Sequence, residues 1–146
     1  MEAYDEVAGE GKGATVGVRI DCAFAKIRLG MVFTDRELVS KSVALCHKLV
    51  EEGGDWERRN RLKVYEAVHL LSTREFKRAA ELLLDSLATF TCLELVTFET
   101  YIFYTVIASV VALDRVTLKK RVLHAPEILS VIDDIPDLSD FVNALY

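Results

Sequence analysis

Three glycines near the start of the chain, Gly9, Gly11 and Gly13, surround Lys12. A glycine-rich loop with a lysine could bind the phosphates of a nucleotide. Such a P-loop needs Ser or Thr directly after the lysine and a β-strand before the loop. Here Gly13 follows Lys12, and no strand pattern precedes it. We therefore interpret residues 1–13 as a flexible, acidic and glycine-rich lead-in, not as a nucleotide site.

The titratable residues show no catalytic or metal-binding pattern. His47, His69 and His124 have no partner at metal-ligand spacing, and the carboxylate pairs Glu51–Glu52 and Asp133–Asp134 stand beside predicted helix ends, where solvated side chains are expected. The nucleophile-elbow and zinc-protease motifs are missing from the sequence. The sequence therefore predicts a protein that is not an enzyme and has no cofactor or bound metal.

A basic group gives the strongest case for binding nucleic acid. It consists of Arg58, Arg59, Arg61 and Lys63. Its charges are partly matched, because Asp55–Arg59 and Glu57–Arg61 are spaced as helix-supporting ion pairs. The chain carries 18 Lys and Arg against 23 Asp and Glu, a net charge of −5, which disfavours binding to a phosphate backbone. We favour a solvated face or an acidic protein partner for this group and for a second one, Lys119–Arg121.

The only tryptophan, Trp56, follows a break at Gly53 and Gly54. We interpret it as a packing anchor at the corner between two helical hairpins. In that case its truncation to alanine would cost about 3–5 kcal/mol. The alternative interpretation is an interface residue of the kind that dominates binding energy.

Composition and length describe a folded domain. The chain has 146 residues, of which 51% are hydrophobic and 28% charged, and this excludes disorder and fibrous structure. Its three cysteines have no CxxC spacing, so we expect a reducing compartment. The first residues show no basic segment followed by an apolar one, so we expect no signal peptide. The longest nearly apolar run, residues 101–113, is too short to cross a bilayer.

Apolar residues recur at helical spacing along most of the chain. Thr34, Asp55 and Asp114 are expected as N-caps, and Pro126 in the first turn of a helix. One glycine of the pair at Gly53–Gly54 is expected in the left-handed conformation that ends a helix. We see no sustained alternation with period two, so we predict no sheet. The fold class is therefore all-α, an α-solenoid of antiparallel helical hairpins spaced roughly 40 residues apart.

Several stretches resemble one protein family. They are Glu51–Tyr65 (EEGGDWERRNRLKVY), Phe76–Leu87 (FKRAAELLLDSL), Thr89–Thr91, Ala125–Leu129 and Phe141–Tyr146. The first is long and closely resembles a hallmark of the proteasome lid subunits called regulatory particle non-ATPase subunit seven, or non-ATPase regulatory subunit six in animal nomenclature. The first subunit of the COP9 signalosome shares that family's architecture but is less similar to this sequence.

The resemblance implies a domain order. Family members have an N-terminal arm of TPR-like helical repeats followed by a PCI domain, which consists of a helical half and a winged helix. On this mapping residues 14–73 are the end of the arm, and residues 74–146 are the helical half of the PCI domain. The winged helix is absent, so we expect this sequence to be a piece of a longer protein.

The resemblance also implies a function. It indicates a non-catalytic scaffold in the lid of the 19S regulatory particle of the 26S proteasome, where it supports lid assembly and ubiquitin-dependent degradation. Its partners would be other lid subunits and the ATPase base, and it would not bind a membrane. Its location would be the cytoplasm and the nucleus. The alternatives are an RNA-binding or translation-initiation PCI module and a COP9 signalosome scaffold.

Eight residues are the candidates for interaction. They are Trp56, Arg58, Arg59 and Arg61, together with an amphipathic stripe at Leu138, Phe141, Val142 and Leu145. In the longer protein this stripe would face the winged-helix side. A solenoid that is cut open exposes an apolar face, so we expect the isolated chain either to form a homodimer through this end or to fold its last helix back.

Overall fold

The computed structural model describes residues 15–145. The lead-in predicted for residues 1–13 lies outside the described residues. Every regular element within the described range is helical, which confirms the all-α class. The chain divides into two compact units between His69 and Leu70, and each is described by itself below.

The first unit is built from a helical hairpin and the helix that follows it. The helices are α1 (Val16–Val32), α2 (Arg36–Gly53) and α3 (Trp56–Ser72), and the boundary between the units falls within α3. The core contains the apolar stripes predicted from the sequence. Its fully buried members include Ile20, Phe24 and Ile27 of α1, Cys46 of α2 and Tyr65 of α3.

Side-chain caps begin these helices where the sequence supplies short polar residues. Asp35 accepts a hydrogen bond from the Leu38 amide at 3.0 Å, and Asp55 accepts one from the Arg58 amide at 2.8 Å. The cap predicted at Asp55 is therefore confirmed. The cap predicted at Thr34 is wrong by one residue, because Thr34 lies in the preceding turn and the Asp35 carboxylate takes its place.

The turn between α1 and α2 is a Schellman motif in which a residue other than glycine takes the left-handed position. The Asp35 amide donates to the Gly30 carbonyl at 2.8 Å, and the Thr34 amide donates to the Met31 carbonyl at 3.2 Å. Thr34 occupies the left-handed position with φ 55°. At Gly30 an added Cβ would lie 2.7 Å from Val39 Cγ2, so the missing side chain lets α1 and α2 approach closely.

The helix end at Gly53 differs from the prediction. Gly53 is the last residue of α2, and Gly54 caps it with extended backbone, φ −71° and ψ 135°. Neither glycine is left-handed. Glycine suits position 54 because a side chain would clash with the backbone of α2. An added Cβ would lie 2.8 Å from the Cα of Val50.

The second unit contains one long hairpin and several short helical elements. They are α4 (Phe76–Ser86), a 3₁₀ turn (Leu87–Thr89), α5 (Phe98–Ala112), α6 (Arg115–Leu118), a π-helical stretch (Lys119–Leu123), α7 (Pro126–Leu129), a 3₁₀ turn (Ile132–Asp134) and α8 (Leu138–Ala144). Asp114 caps α6 and Pro126 is the first residue of α7, as predicted. The helix that Asp114 begins is divided into α6 and the π-helical stretch.

Tyr101 joins α4 to α5 in the core of the second unit. It is fully buried, and its hydroxyl bonds with the Leu83 carbonyl and lies 3.0 Å from Ser86 Oγ. Burial raises the pKa of this phenol to about 12. The ring of Phe90 lies 4.4 Å from that of Tyr101, centroid to centroid. The hydroxyl is the only polar atom of the Tyr101 side chain, and these contacts satisfy its hydrogen bonding. They also hold α4 and α5 in alignment.

The turn before α4 repeats the geometry of the turn before α2. The Glu75 amide donates to the Leu70 carbonyl at 2.9 Å, the Arg74 amide donates to the Leu71 carbonyl at 3.2 Å, and Arg74 is left-handed with φ 67°. Arg74 follows Thr34 by 74 − 34 = 40 residues, the hairpin spacing predicted from the sequence. The domain boundary predicted after residue 73 falls in this turn, and the assignment of the two halves to an arm and a PCI domain stays a prediction.

The left-handed Arg74 provides a test of this turn. We expect Arg74→Gly to stabilise the chain by a few tenths to about 1 kcal/mol, because glycine avoids the steric penalty of this conformation. The matched control is Glu81→Gly in the exposed middle of α4, which should destabilise by about 1 kcal/mol. Urea denaturation measures both. A destabilised Arg74→Gly variant would contradict the assigned turn geometry.

Candidate interaction surface

Trp56 is the first residue of α3 and projects into solvent. Its side chain is 65% exposed, whereas most of the surface of a tryptophan is buried in an average protein. The prediction that Trp56 is a packing anchor is therefore wrong. The reason is its place in the first turn of α3, since the buried apolar residues of this helix, which include Leu62, Val64 and Tyr65, lie further along it. The structure instead leaves the indole available for contact with another molecule.

Arg58 fixes the turn that carries Trp56. Its guanidinium forms a fork on Asp21 of α1, with Nη2 to Oδ2 at 2.8 Å and Nε to Oδ1 at 3.2 Å. A third bond joins Nη1 to Asp55 Oδ2 at 2.7 Å. Paired bonds of this kind restrict orientation as well as distance. We call this arrangement of Asp21, Asp55 and Arg58 the Arg58 clamp.

Gly17 makes room for the clamp. A Cβ at this position would lie 3.2 Å from Cζ and from Nη2 of Arg58, closer than almost all side-chain contacts. The guanidinium therefore lies directly against the backbone of α1. Val18, the next residue, is 47% exposed, so an apolar side chain of α1 stands in solvent next to this contact.

Two members of the clamp, Asp55 and Arg58, have pKa values shifted in the direction that favours their charged forms. The backbone hydrogen bond from Arg58 lowers the pKa of Asp55, with further help from the Arg58 charge. The hydrogen bond to Asp21 raises the pKa of Arg58. Asp55 and Arg58 are therefore both charged at neutral pH.

The other two predicted arginines have different environments. Arg61 places its Cζ 5.2 Å from the centroid of the Phe24 ring, a cation–π geometry, and that ring stacks on Tyr65 at 4.6 Å. Arg59 is exposed. The basic group predicted from the sequence is therefore not one uniform patch, because Arg58 and Arg61 hold the unit together and Arg59 faces solvent beside Trp56.

Sequence reasoning missed Asp21 and Gly17. Asp21 stands 37 residues before Arg58, and the predicted partner of the Asp55 carboxylate was Arg59. In the structure that carboxylate pairs with Arg58. No spacing rule within a single helix could reveal Asp21, since the contact depends on how α1 packs against α3.

The apolar stripe of the last helix divides into two pairs. Leu138 and Val142 are buried within their own unit, at 2% and 7% exposure, whereas Phe141 is 39% exposed and Leu145 is partly exposed. Leu138 and Val142 are four residues apart and share a helix face. Their assignment to an interaction surface is therefore wrong, because the core of the unit already uses them. This burial agrees with the fold-back alternative.

The remaining titratable side chains form isolated contacts. His47 Nε2 lies 2.9 Å from Glu66 Oε2, which joins α2 to α3, and burial raises the pKa of the Cys46 thiol to about 12. Among residues 15–145 no group of three His, Cys, Asp or Glu side chains is arranged to hold a metal ion. Within the same residues, no helix combines the length and apolar character that a membrane span requires.

Fold and surface together define a class of protein. It is an all-α protein built from helical hairpins, whose candidate site is a contact surface around an exposed tryptophan. Comparison with known proteins agrees with this class. Residues 1–121 match the family described as "26S proteasome subunit RPN7". The chain belongs to this family.

Curated relatives from distant organisms support the assignment. The chain is 54% identical over 137 residues to the 26S proteasome non-ATPase regulatory subunit 6 of Oryza sativa, and 55% identical over 137 residues to the homologue of that subunit in Arabidopsis thaliana. It is 39% identical over 138 residues to the 26S proteasome regulatory subunit RPN7 of Saccharomyces cerevisiae. These alignments cover 94%, 94% and 92% of the chain but only 35%, 35% and 32% of the relatives. The chain thus spans about a third of their length.

The Arg58 clamp predicts different effects on stability for the neighbouring residues Arg58 and Arg59. We expect Arg58→Ala to lower the free energy of unfolding by about 1 kcal/mol, the upper end for partly exposed ion pairs. Arg59→Ala removes the same charge from an exposed position and should stay within about 0.5 kcal/mol of the parent chain. Chemical denaturation of both variants measures the difference. Equal effects would show that the clamp does not stabilise the unit.

Proposed function

We propose that this chain is a non-catalytic scaffold segment of the lid of the 26S proteasome regulatory particle. In this role it supports lid assembly and, through the assembled particle, ubiquitin-dependent protein degradation. Family membership and the names of the curated relatives support the assignment to a regulatory subunit. The proposed partners are other lid subunits and the ATPase base, in the cytoplasm and nucleus.

The exposed Trp56 is the observation that favours a contact function for this segment. Tryptophan and arginine are the residues most enriched among those that dominate protein interfaces. Here a 65% exposed indole and the exposed Arg59 lie within one turn of α3. The Arg58 clamp holds the first turn of α3 in place, which reduces the entropy lost on binding. We define the Trp56 surface as Trp56 with Arg59, presented by the N-terminal turn of α3.

The core polar groups of this segment are structural. Tyr101 and Ser86 join α4 to α5, and His47 and Glu66 join α2 to α3. Cys46 is buried with a raised pKa, so its thiolate form is disfavoured. These roles support a scaffold without chemistry of its own.

Matched variants of the chain test the proposed contact. The tagged chain would be co-expressed with the other recombinant subunits of the regulatory-particle lid, and the stoichiometry of co-purified subunits measured. We expect Trp56→Ala to reduce recovery of lid subunits at least about tenfold, as for an interface hot spot. Phe33→Ala truncates another aromatic side chain, 74% exposed in the α1–α2 turn, and should leave recovery unchanged.

Two further readouts make the result decisive. Thermal unfolding of both variants should match that of the parent chain, because neither side chain is buried. Equal recovery with Trp56→Ala and Phe33→Ala would contradict a role for the Trp56 surface. Exclusive recovery with recombinant COP9 signalosome subunits, or preferential binding to RNA with a steep loss in salt, would contradict the assignment to the lid.

A further inference from the structure

The short helical elements at the end of the second unit surround a cavity of about 390 Å³. Residues of the π-helical stretch, of α7, of the 3₁₀ turn Ile132–Asp134 and of α8 all line it. Ile128 and Ile132 are buried and give the cavity an apolar floor. Leu129 stands at its rim, 54% exposed. Its volume falls within the range of ligand sites, about 300–1,000 Å³.

Backbone hydrogen bonds of the chain itself hold the walls of this cavity. The Val131 amide donates to the Ile128 carbonyl at 3.2 Å, and the Asp134 amide donates to the Val131 carbonyl at 3.1 Å. At the start of α8 the Phe141 amide donates to the Asp137 carbonyl at 2.9 Å. The cavity is therefore formed before a ligand arrives, which reduces the ordering cost of binding.

The side of the cavity formed by the 3₁₀ turn and α8 is acidic. Asp133 lines the cavity, and the aspartates that follow it in sequence, Asp134, Asp137 and Asp140, are exposed. No lysine or arginine follows Arg121 in the sequence. Within the part of the chain that the structure describes, none of these four aspartates forms an ion pair. Their negative charge is therefore available to a cationic partner.

A basic groove adjoins the cavity at His124, which lines both. The groove also contains Arg115, Lys119 and Lys120. Positive charge is thus found on the His124 side of the cavity and negative charge on the Asp133 side. A cationic group of a ligand is therefore expected at Asp133, and this asymmetry orients the ligand in the cavity.

We propose that this cavity binds a segment of a partner protein in which one large apolar side chain stands beside lysine or arginine. The apolar side chain would enter the cavity against Ile128 and Ile132, and Leu129 would cover it at the rim. The basic side chains would pair with Asp133 and with the aspartates that follow it. Charge spread over four carboxylates matches a segment with several basic side chains better than a small amine with one. This inference does not depend on the proposed function, since it uses neither Trp56 nor the assignment to the lid.

Fluorescence anisotropy of labelled peptides measures binding to the whole 146-residue chain. The probe is an acetylated and amidated peptide with one phenylalanine flanked by lysines on both sides. Two matched probes replace either the phenylalanine with serine or the lysines with glutamate. We expect saturable binding of the first probe and at least about tenfold weaker binding of the serine probe, because the buried anchor is lost. The glutamate probe should not bind, because its charge is repelled by the aspartates.

Variants at the rim of the cavity locate the site. Leu129→Ser removes its exposed apolar side chain and Asp133→Asn removes its charge, and each should weaken binding of the first probe about threefold to tenfold. The matched controls are Val111→Ser on α5 and Glu51→Gln on α2, which make similar changes at exposed positions outside the cavity. Both controls should leave the affinity unchanged. Thermal unfolding of all four variants establishes that they are folded.

Four results would overturn the proposal. They are absence of binding by the parent chain, equal loss in the cavity variants and the controls, binding of the serine probe as tight as that of the first probe, and binding of the glutamate probe. Phenethylamine that binds as tightly as the peptide would show that the occupant is a small amine. Sedimentation of the parent chain as a dimer that Leu129→Ser dissociates would show that the occupant is a second copy. Either result would also contradict the proposal.

Discussion

The candidate surface depends on the Arg58 clamp, a charge contact between two helices that are far apart in sequence. The guanidinium of Arg58 bonds with Asp21 on α1 and with Asp55 at the start of α3. Gly17 leaves room for the guanidinium, since an added Cβ there would lie 3.2 Å from Arg58 Cζ. These contacts fix the turn in which Trp56 lies. Individually such pairs are weak in water, so their main effect is on geometry.

Local rules predicted much of the fold. Helical periodicity gave the all-α class, and short polar residues or proline before apolar runs gave the helix starts at Asp55, Asp114 and Pro126. These features depend on neighbours within one helical turn, which a single sequence displays. The 40-residue spacing of hairpins also has a structural counterpart in the left-handed residues Thr34 and Arg74.

The errors share a physical origin in contacts between helices. Trp56 was interpreted as a packing anchor at the corner between two hairpins, but it stands exposed in the first turn of α3. Leu138 and Val142 were predicted to be available to a partner, but their unit buries them. Asp21 was not recognised at all. Residue type sets the energy of burial, whereas packing decides which residues are buried. Packing also placed glycine at position 54 for space and not for a left-handed turn.

Fluorescence emission reports directly on the exposure of Trp56, because it is the only tryptophan of the chain. In the structure this indole lies in solvent, on the helical turn that the Arg58 clamp holds. The free chain should therefore show the red-shifted emission of a hydrated tryptophan, with quenching by acrylamide close to that of a free indole. A blue-shifted emission that acrylamide does not reach would show that Trp56 is packed in the core, and the proposed contact surface would lose its principal residue.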